Sequence, residues 1–154
     1  KKIFEQTLER FKKNGINNDR LILLGESKSR KLLLKVYNEI DISLDPFPFQ
    51  GNTSTIEAVW MGVPVLTLKG NRFIFHFGES INANLNLSEW IANNHEEYVE
   101  KAKSFSSNLD RLSKIRSNLR QLALKSPVFD ATRFANYFSQ MLWDMWNKHE
   151  EKSN

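Results

Sequence analysis

The sequence predicts an α/β domain with parallel strands and a helical C-terminal portion, and three observations predict it. Apolar runs of strand length, Leu21–Leu24, Ile40–Leu44 and Val63–Leu68, alternate in the first half with amphipathic segments of helical period. That alternation is the pattern of a parallel sheet with crossover helices. From Phe73 onward the helical period dominates. Finally, the chain has no cysteine and no apolar run approaching the ~18 residues of a membrane span. Disulfides, thiolate metal sites and cysteine nucleophiles are thereby excluded. With 154 residues, 40% of them hydrophobic and 26% charged, the chain has the size and composition of one globular domain with a real core.

The elements follow in order. Phe4, Leu8 and Phe11 share one face of a first helix that stops at Asn14-Gly15. Leu21–Leu24 reads as a buried strand ending at Gly25. Ser29 to Tyr37 reads as a helix with Leu33, Val36 and Tyr37 inward, and Ile40–Leu44 as the next strand. In the loop Asp45 to Asn52, two prolines forbid regular structure. Thr53 to Met61 is a helix closed by Gly62, and Val63–Leu68 a third buried strand. Phe73 to Ala83 reads as helical. Over Leu87–Ala92 periodicity does not separate a strand from a helical turn. Asn94 with Glu97 is a capping box opening a helix to about Phe105. A helix over Leu109 to Leu124 turns Leu112, Ile115, Leu119 and Leu122 inward, and Ser126-Pro127 ends it. Asp130 caps the last helix, whose apolar face carries Phe134, Tyr137, Phe138, Met141, Leu142, Met145 and Trp146. The polar tail after Lys148 is expected to fray.

The net charge is +4, from 22 basic and 18 acidic residues. The charges alternate in sign along helices, as at Glu96, Glu97, Glu100, Lys101 and Lys103, which describes a solvated face. No basic run with interleaved aromatics exists, so a nucleic-acid partner is not expected, nor is a membrane. No metal-ligand spacing is present. His95 and His149 read as surface residues. The start, Lys1-Lys2-Ile3-Phe4, carries no signal peptide and opens straight into a helix, so the chain reads as a part of something longer.

Chemistry concentrates between Asp41 and Leu68. There a strand delivers the chain to a rigid loop, and Gly51 permits close backbone approach to a ligand. Thr53, Ser54 and Thr55 then open a helix. Its unpaired first-turn N–H groups and its dipole favour an anion. Glu57, three and four residues on, shares the face of Ser54 and Thr53. A carboxylate there accepts hydrogen bonds from a sugar diol. Phosphate donors beside a diol acceptor describe a nucleotide or nucleotide-sugar site. The same residues also describe an ordinary N-cap with a dipole-complementing Glu, and the pattern alone leaves both open.

The run from Asp41-Ile42-Ser43-Leu44-Asp45-Pro46-Phe47-Pro48 through Gly51-Asn52-Thr53-Ser54-Thr55-Ile56-Glu57-Ala58 to Gly62-Val63-Pro64-Val65-Leu66-Thr67-Leu68 resembles the signature of the O-GlcNAc transferase and SPINDLY family, "DIxLDPFPYNGGTTTLEALWMGVPVVTL". Arg20 to Gly25 is similar to the family's "RVILLG", and Ile91-Ala92, Glu97-Tyr98, Ser126 to Asp130 and Met145-Trp146 follow in family order. The resemblance implies a partial, doubly wound Rossmann-like fold, the C-terminal, donor-binding half of a GT-B glycosyltransferase. Residues 1–129 would be that partial domain and 130–148 a C-terminal helix packing back on it or on an N-terminal domain outside the chain, with 149–154 the frayed tail. It further implies that Gly51, Asn52, Thr53 and Ser54 hold the donor diphosphate and neighbouring ribose and that Glu57 takes the ribose hydroxyls. Arg30 would lie near the base. The donor would be a nucleotide-sugar, UDP-linked in most relatives, with no metal and no other cofactor. A protein or glycan hydroxyl would be the acceptor. The parent would be a cytoplasmic enzyme with a further N-terminal domain and TPR repeats, and this chain alone would be inactive. The catalytic residue is not among those carried over.

Two departures stand out. Where relatives read "SREEHLALY", with a His on the nucleobase, this chain has Leu33. Where they read "RFVSRxGAS", it has Phe75-His76. His76 replaces a diphosphate-pairing Arg only in part, and only when protonated. The other reading is a non-catalytic interaction module with a decayed donor site, the aromatic last helix being its working surface. That stripe would also drive a homo-oligomer. Leu33→His is expected to strengthen binding of uridine nucleotides to the full-length protein in a calorimetric titration. No gain in a folded variant would mean that Leu33 lies outside the base pocket or that the donor is not a uridine compound.

Overall fold

The structure is a computed structural model describing residues 2–27 and 29–153. Its contacts divide the chain into two units, Lys1–Leu33 and Leu34–Asn154.

In the first unit, α1 (Lys2–Lys13) ends where Gly15 turns to φ +78° and donates its N–H to the Lys12 carbonyl at 3.0 Å. A glycine takes this left-handed stop without steric cost. Of the expected apolar face, Leu8 is half-buried while Phe4 and Phe11 are exposed. The strand expected at Leu21–Leu24 does not form. Leu21 is extended, Leu21 and Leu23 are half-buried, and Ile22 and Leu24 stand 86% and 58% exposed. The residues have strand character, but a strand exists only through a partner's ladder, and no described strand pairs with them. The helix α2 (Arg30–Val36) crosses the division, and Leu33, expected inward, is exposed.

The second unit holds a three-stranded parallel sheet in the order β1 (Ser43–Leu44), β2 (Val65–Leu68), β3 (Ile91–Ala92). All four residues of β2 are buried, and since successive side chains point to opposite faces, both faces of the strand are covered. β1 pairs with the first half of β2, Ser43 opposite Val65 and Leu44 opposite Leu66. β3 pairs with the second half, Thr67 opposite Ile91 and Leu68 opposite Ala92. Pairing is shorter than the run Ile40–Leu44 predicts, although Ile40 and Ile42 still pack on the core. The connection from β1 to β2 is α3 (Thr53–Trp60), and that from β2 to β3 carries α4 (Phe77–Asn84), which a one-turn 3-10 helix at Phe73–Phe75 precedes.

Three helices follow. α5 (His95–Ser107) starts on the expected cap, the Asn94 side chain accepting the Glu97 N–H at 2.8 Å. Glu97 accepts from Lys101 at 2.7 Å and from the Asn93 N–H at 2.8 Å. These bonds, Lys101 first, hold its carboxyl down at about 2. Asn108 caps α6 (Leu109–Leu124) and Asp130 caps α7 (Ala131–Ser153) through the N–H groups of Arg111 and Arg133. Leu112 and Leu119 of α6 are buried with Trp90, Leu85, Val59 and Leu66 in the core, and Ile115 and Leu122 pack against it. α7 continues through Ser153, because residues 147–153 contain neither Gly nor Pro and each added turn keeps its backbone bonds. Asn154 lies outside the described residues. The apolar stripe of α7 is exposed throughout, from 46% at Phe138 to 67% at Phe134.

Gly62 closes α3 at φ +78°, and a Cβ there would stand 3.0 Å from the Arg116 carbonyl oxygen of α6. Gly62→Ala therefore meets both a left-handed backbone and a rigid neighbour. It is expected to lower the unfolding free energy by about 1–2 kcal/mol or more, read as a lower denaturant midpoint at unchanged slope.

Candidate functional site

The loop from Asp45 to Asn52 leaves the carboxyl end of β1 and delivers the chain to the start of α3, the edge of a parallel sheet at which α/β proteins bind ligands. Its shape depends on Asp45, 3% exposed. One carboxylate oxygen, Oδ1, accepts the Gly51 N–H at 2.7 Å, and the other, Oδ2, accepts the Thr67 hydroxyl at 2.9 Å. Burial pushes the Asp45 carboxyl above its usual range, and these two bonds oppose the push. Tyr98 of α5 donates to the Asp45 carbonyl at 3.1 Å. Burial first, and the nearby Asp45 charge second, raise the Tyr98 hydroxyl to about 12.

Gln50 is the second tie. Its amide donates to the Leu68 carbonyl, and its Oε1 accepts the Gly78 N–H of α4 at 2.9 Å. Gly78 fits only as glycine, since a Cβ would fall 2.3 Å from the Thr67 hydroxyl and 2.7 Å from Asp45 Oδ2. The two neighbouring helix starts are thus treated differently. A first-turn donor of α4 is occupied by Gln50, whereas the first turn of α3 faces an open groove of about 550 Å³.

That groove brings together Gly51, Asn52, Thr53, Ser54 and Glu57, five of the seven residues singled out from the sequence, with Pro46, Phe49 and Gln50 completing the lining. Asn52, Thr53 and Ser54 are exposed at the helix start, and the Asn52 side chain makes no capping bond. Glu57 is 9% exposed, one turn further. Thr55, grouped with its neighbours as a third phosphate donor, is buried and gives its hydroxyl to the Gly51 carbonyl at 2.9 Å. It is a structural tie. The Tyr37 hydroxyl donates to the Ser54 carbonyl at 3.2 Å, and burial, then the Glu57 charge, raise it above its usual value.

The remaining two stand apart from this lining. His76 precedes α4 with Nδ1 2.5 Å from Glu79 Oε2, and does not line the groove. Arg30 opens α2 in the first unit, whereas the groove is built wholly from the second. A second cavity, of about 500 Å³, shares Asn52 with the groove and runs between α3, α4 and the segment Pro127 to Phe134. Among the described residues no group of three or more His, Asp or Glu side chains could hold a metal, and no helix is long and apolar enough to cross a membrane.

Sequence reasoning passed over Asp45, Gln50, Thr67, Gly78 and Tyr98. An Asp ending a strand before Pro was a usable signal. The partners of Gln50 and Tyr98 lie 18 to 53 positions away in the chain, and no local pattern announces them.

A profile described as glycosyl transferase family 41 matches residues 4–138. The chain belongs to glycosyltransferase family 41. It is 34% identical over 146 residues to an Arabidopsis thaliana protein described as "Probable UDP-N-acetylglucosamine--peptide N-acetylglucosaminyltransferase SPINDLY", covering 95% of this chain and 16% of that protein. The like-named protein of Solanum lycopersicum is 36% identical over 116 residues, 75% of this chain and 12% of the relative. Among solved structures, a mutant O-GlcNAc transferase of Thermobaculum terrenum superposes with a TM-score of 0.90 at 29% identity, over 97% of this chain and 29% of that one. This family 41 chain therefore spans between about an eighth and a sixth of the length of its curated relatives. The α/β architecture with parallel strands and a GT-B relationship agrees with the expectation from sequence.

The alkaline behaviour of Tyr98 tests the latch around Asp45. The folded state raises this hydroxyl from 10.0 to about 12, so the contribution is complete below pH 10 and is lost as pH rises through 12. Denaturant midpoints of the wild type are expected to fall more steeply than those of Tyr98→Phe across that window.

Proposed function

We propose that this chain is the donor-binding part of a glycosyltransferase that moves a sugar from a nucleotide-sugar, uridine-linked in the first instance, to a protein hydroxyl. The observation that carries the reading is the single groove on which Gly51, Asn52, Thr53, Ser54 and Glu57 meet at the first turn of α3. A diphosphate seated there takes first-turn N–H groups and the Thr53 and Ser54 hydroxyls as donors, with the helix dipole adding its field. Glu57, a turn deeper, accepts hydrogen bonds from the ribose diol. As the glycosidic bond breaks, negative charge grows on the departing diphosphate, and donors already fixed in place stabilise it without reorganising.

The names of the relatives, peptide N-acetylglucosaminyltransferases using UDP-N-acetylglucosamine, support the substrate class. In this reading the chain supplies donor binding and charge stabilisation. Removal of the acceptor proton falls to residues outside it, in an N-terminal domain that with TPR repeats also holds the acceptor, and the isolated chain is inactive. A cytoplasmic setting fits a chain without cysteine. A second reading, a non-catalytic interaction module, draws on the exposed stripe of α7, a surface of the kind that drives association, including self-association.

Replacing Thr53 and Ser54 together by Ala is expected to weaken UDP binding to the full-length protein by about 1–3 kcal/mol, the range for hydrogen bonds to a charged group. Calorimetric titration measures it. A folded double variant that binds as tightly as the wild type removes the diphosphate from the α3 start. A wild type that binds no nucleotide but associates through α7 supports the second reading.

A further inference from the structure

The geometry points to Asp45 as a positioning residue for the diphosphate, one that acts through Gly51 rather than by touching the ligand; the inference rests on the donor-binding reading above. Gly51 is the last residue before the donors Asn52, Thr53 and Ser54, and its peptide groups are held on both sides. Its N–H is fixed by Asp45 Oδ1 at 2.7 Å and its carbonyl by the Thr55 hydroxyl at 2.9 Å. No side chain can substitute for these ties by filling the space, since a Cβ on Gly51 would lie 2.4 Å from Ser54 Oγ. The other oxygen of Asp45 is bonded to Thr67 at 2.9 Å, so the carboxylate anchors the start of α3 to β2, the buried centre of the sheet. The anchor is itself immobile: Asp45 donates its own N–H to the Leu66 carbonyl at 2.9 Å and receives Tyr98 on its carbonyl.

Position and charge separate in the choice of variant. Asparagine at position 45 keeps an oxygen for the Gly51 N–H. Its amide N–H groups face the Thr67 hydroxyl, which then accepts where it had donated. Alanine loses both bonds. A residue that merely stabilises the fold would affect all ligands of the groove alike, whereas one that aims the α3 donors affects only ligands carrying phosphate.

The test is calorimetric titration of the full-length protein with UDP and with uridine, for Asp45→Ala, Asp45→Asn and Thr67→Val. Expected is a loss of tenfold or more in UDP affinity for Asp45→Ala, with less than a twofold change for uridine. Asp45→Asn should return to within threefold of the wild type. Thr67→Val, which keeps the side-chain volume and removes one of the two carboxylate bonds, should lose about threefold to tenfold for UDP alone. If Asp45→Ala does not fold, the other two variants carry the test. Equal losses for UDP and uridine, or Asp45→Asn as weak as Asp45→Ala, or unchanged UDP affinity in folded Asp45→Ala or Thr67→Val, overturn the positioning role and leave the donor-binding reading standing. A wild type that binds no UDP overturns that reading and this inference with it.

Discussion

The buried carboxylate of Asp45 is the constraint on which the groove depends. It stands where β1 ends, and it bonds to Gly51, two residues before α3, and to Thr67 of β2. Moving a carboxyl group out of water is costly unless its oxygens are satisfied. Here both are, and Gly78 leaves the room that a larger residue would take. One side chain thus decides where α3 begins relative to the sheet, and so where its unpaired N–H groups point. Burial pushes the Asp45 carboxyl upward, and the bonds from Gly51 and Thr67 oppose that push.

The parts of the fold written in local chemistry were legible in the sequence. Asn94 with Glu97, Asp130, Gly15 and Gly62 mark helix ends by hydrogen bonds or backbone angles made within a few residues. Five of the seven candidate residues converge on one groove because they lie within one turn-and-helix segment, and local spacing alone brings them together. Legibility fails where the answer depends on which partner a residue finds. Leu21–Leu24 has the composition of a strand, yet pairs with no described strand. Thr55 reads like Thr53 and Ser54 until the Gly51 carbonyl claims its hydroxyl. His76 pairs with Glu79, three residues on, and no spacing rule announced that pairing.

The second unit divides its labour. Core packing comes from α3, β2, β3, α4, α5 and α6, whose apolar residues are buried together with Trp90. α7 contributes none of the buried core and keeps its aromatic and methionine side chains exposed. An apolar face of that length, on a helix with a well-formed Asp130 cap, is a surface of the kind that partners cover.

Gln50 has a consequence for how the loop came to be free. Along β1 the backbone N–H groups of Ser43 and Asp45 bond to the carbonyls of Pro64 and Leu66. By the two-residue rhythm of a parallel ladder, the next rung would join residue 47 to Leu68. The side-chain amide of Gln50 fills that rung instead. A backbone donor has been exchanged for a buried side-chain donor three positions later, and the ladder closes without a broken step. The chain between leaves the sheet: Phe47 packs edge-on against His95 and Tyr98, and Phe47, Pro48 and Phe49 line surface cavities. Variation at Phe49 can therefore reshape a wall of the groove, and variation at Phe47 and Pro48 the cavity beside His95, while the rung that secures the strand stays in place.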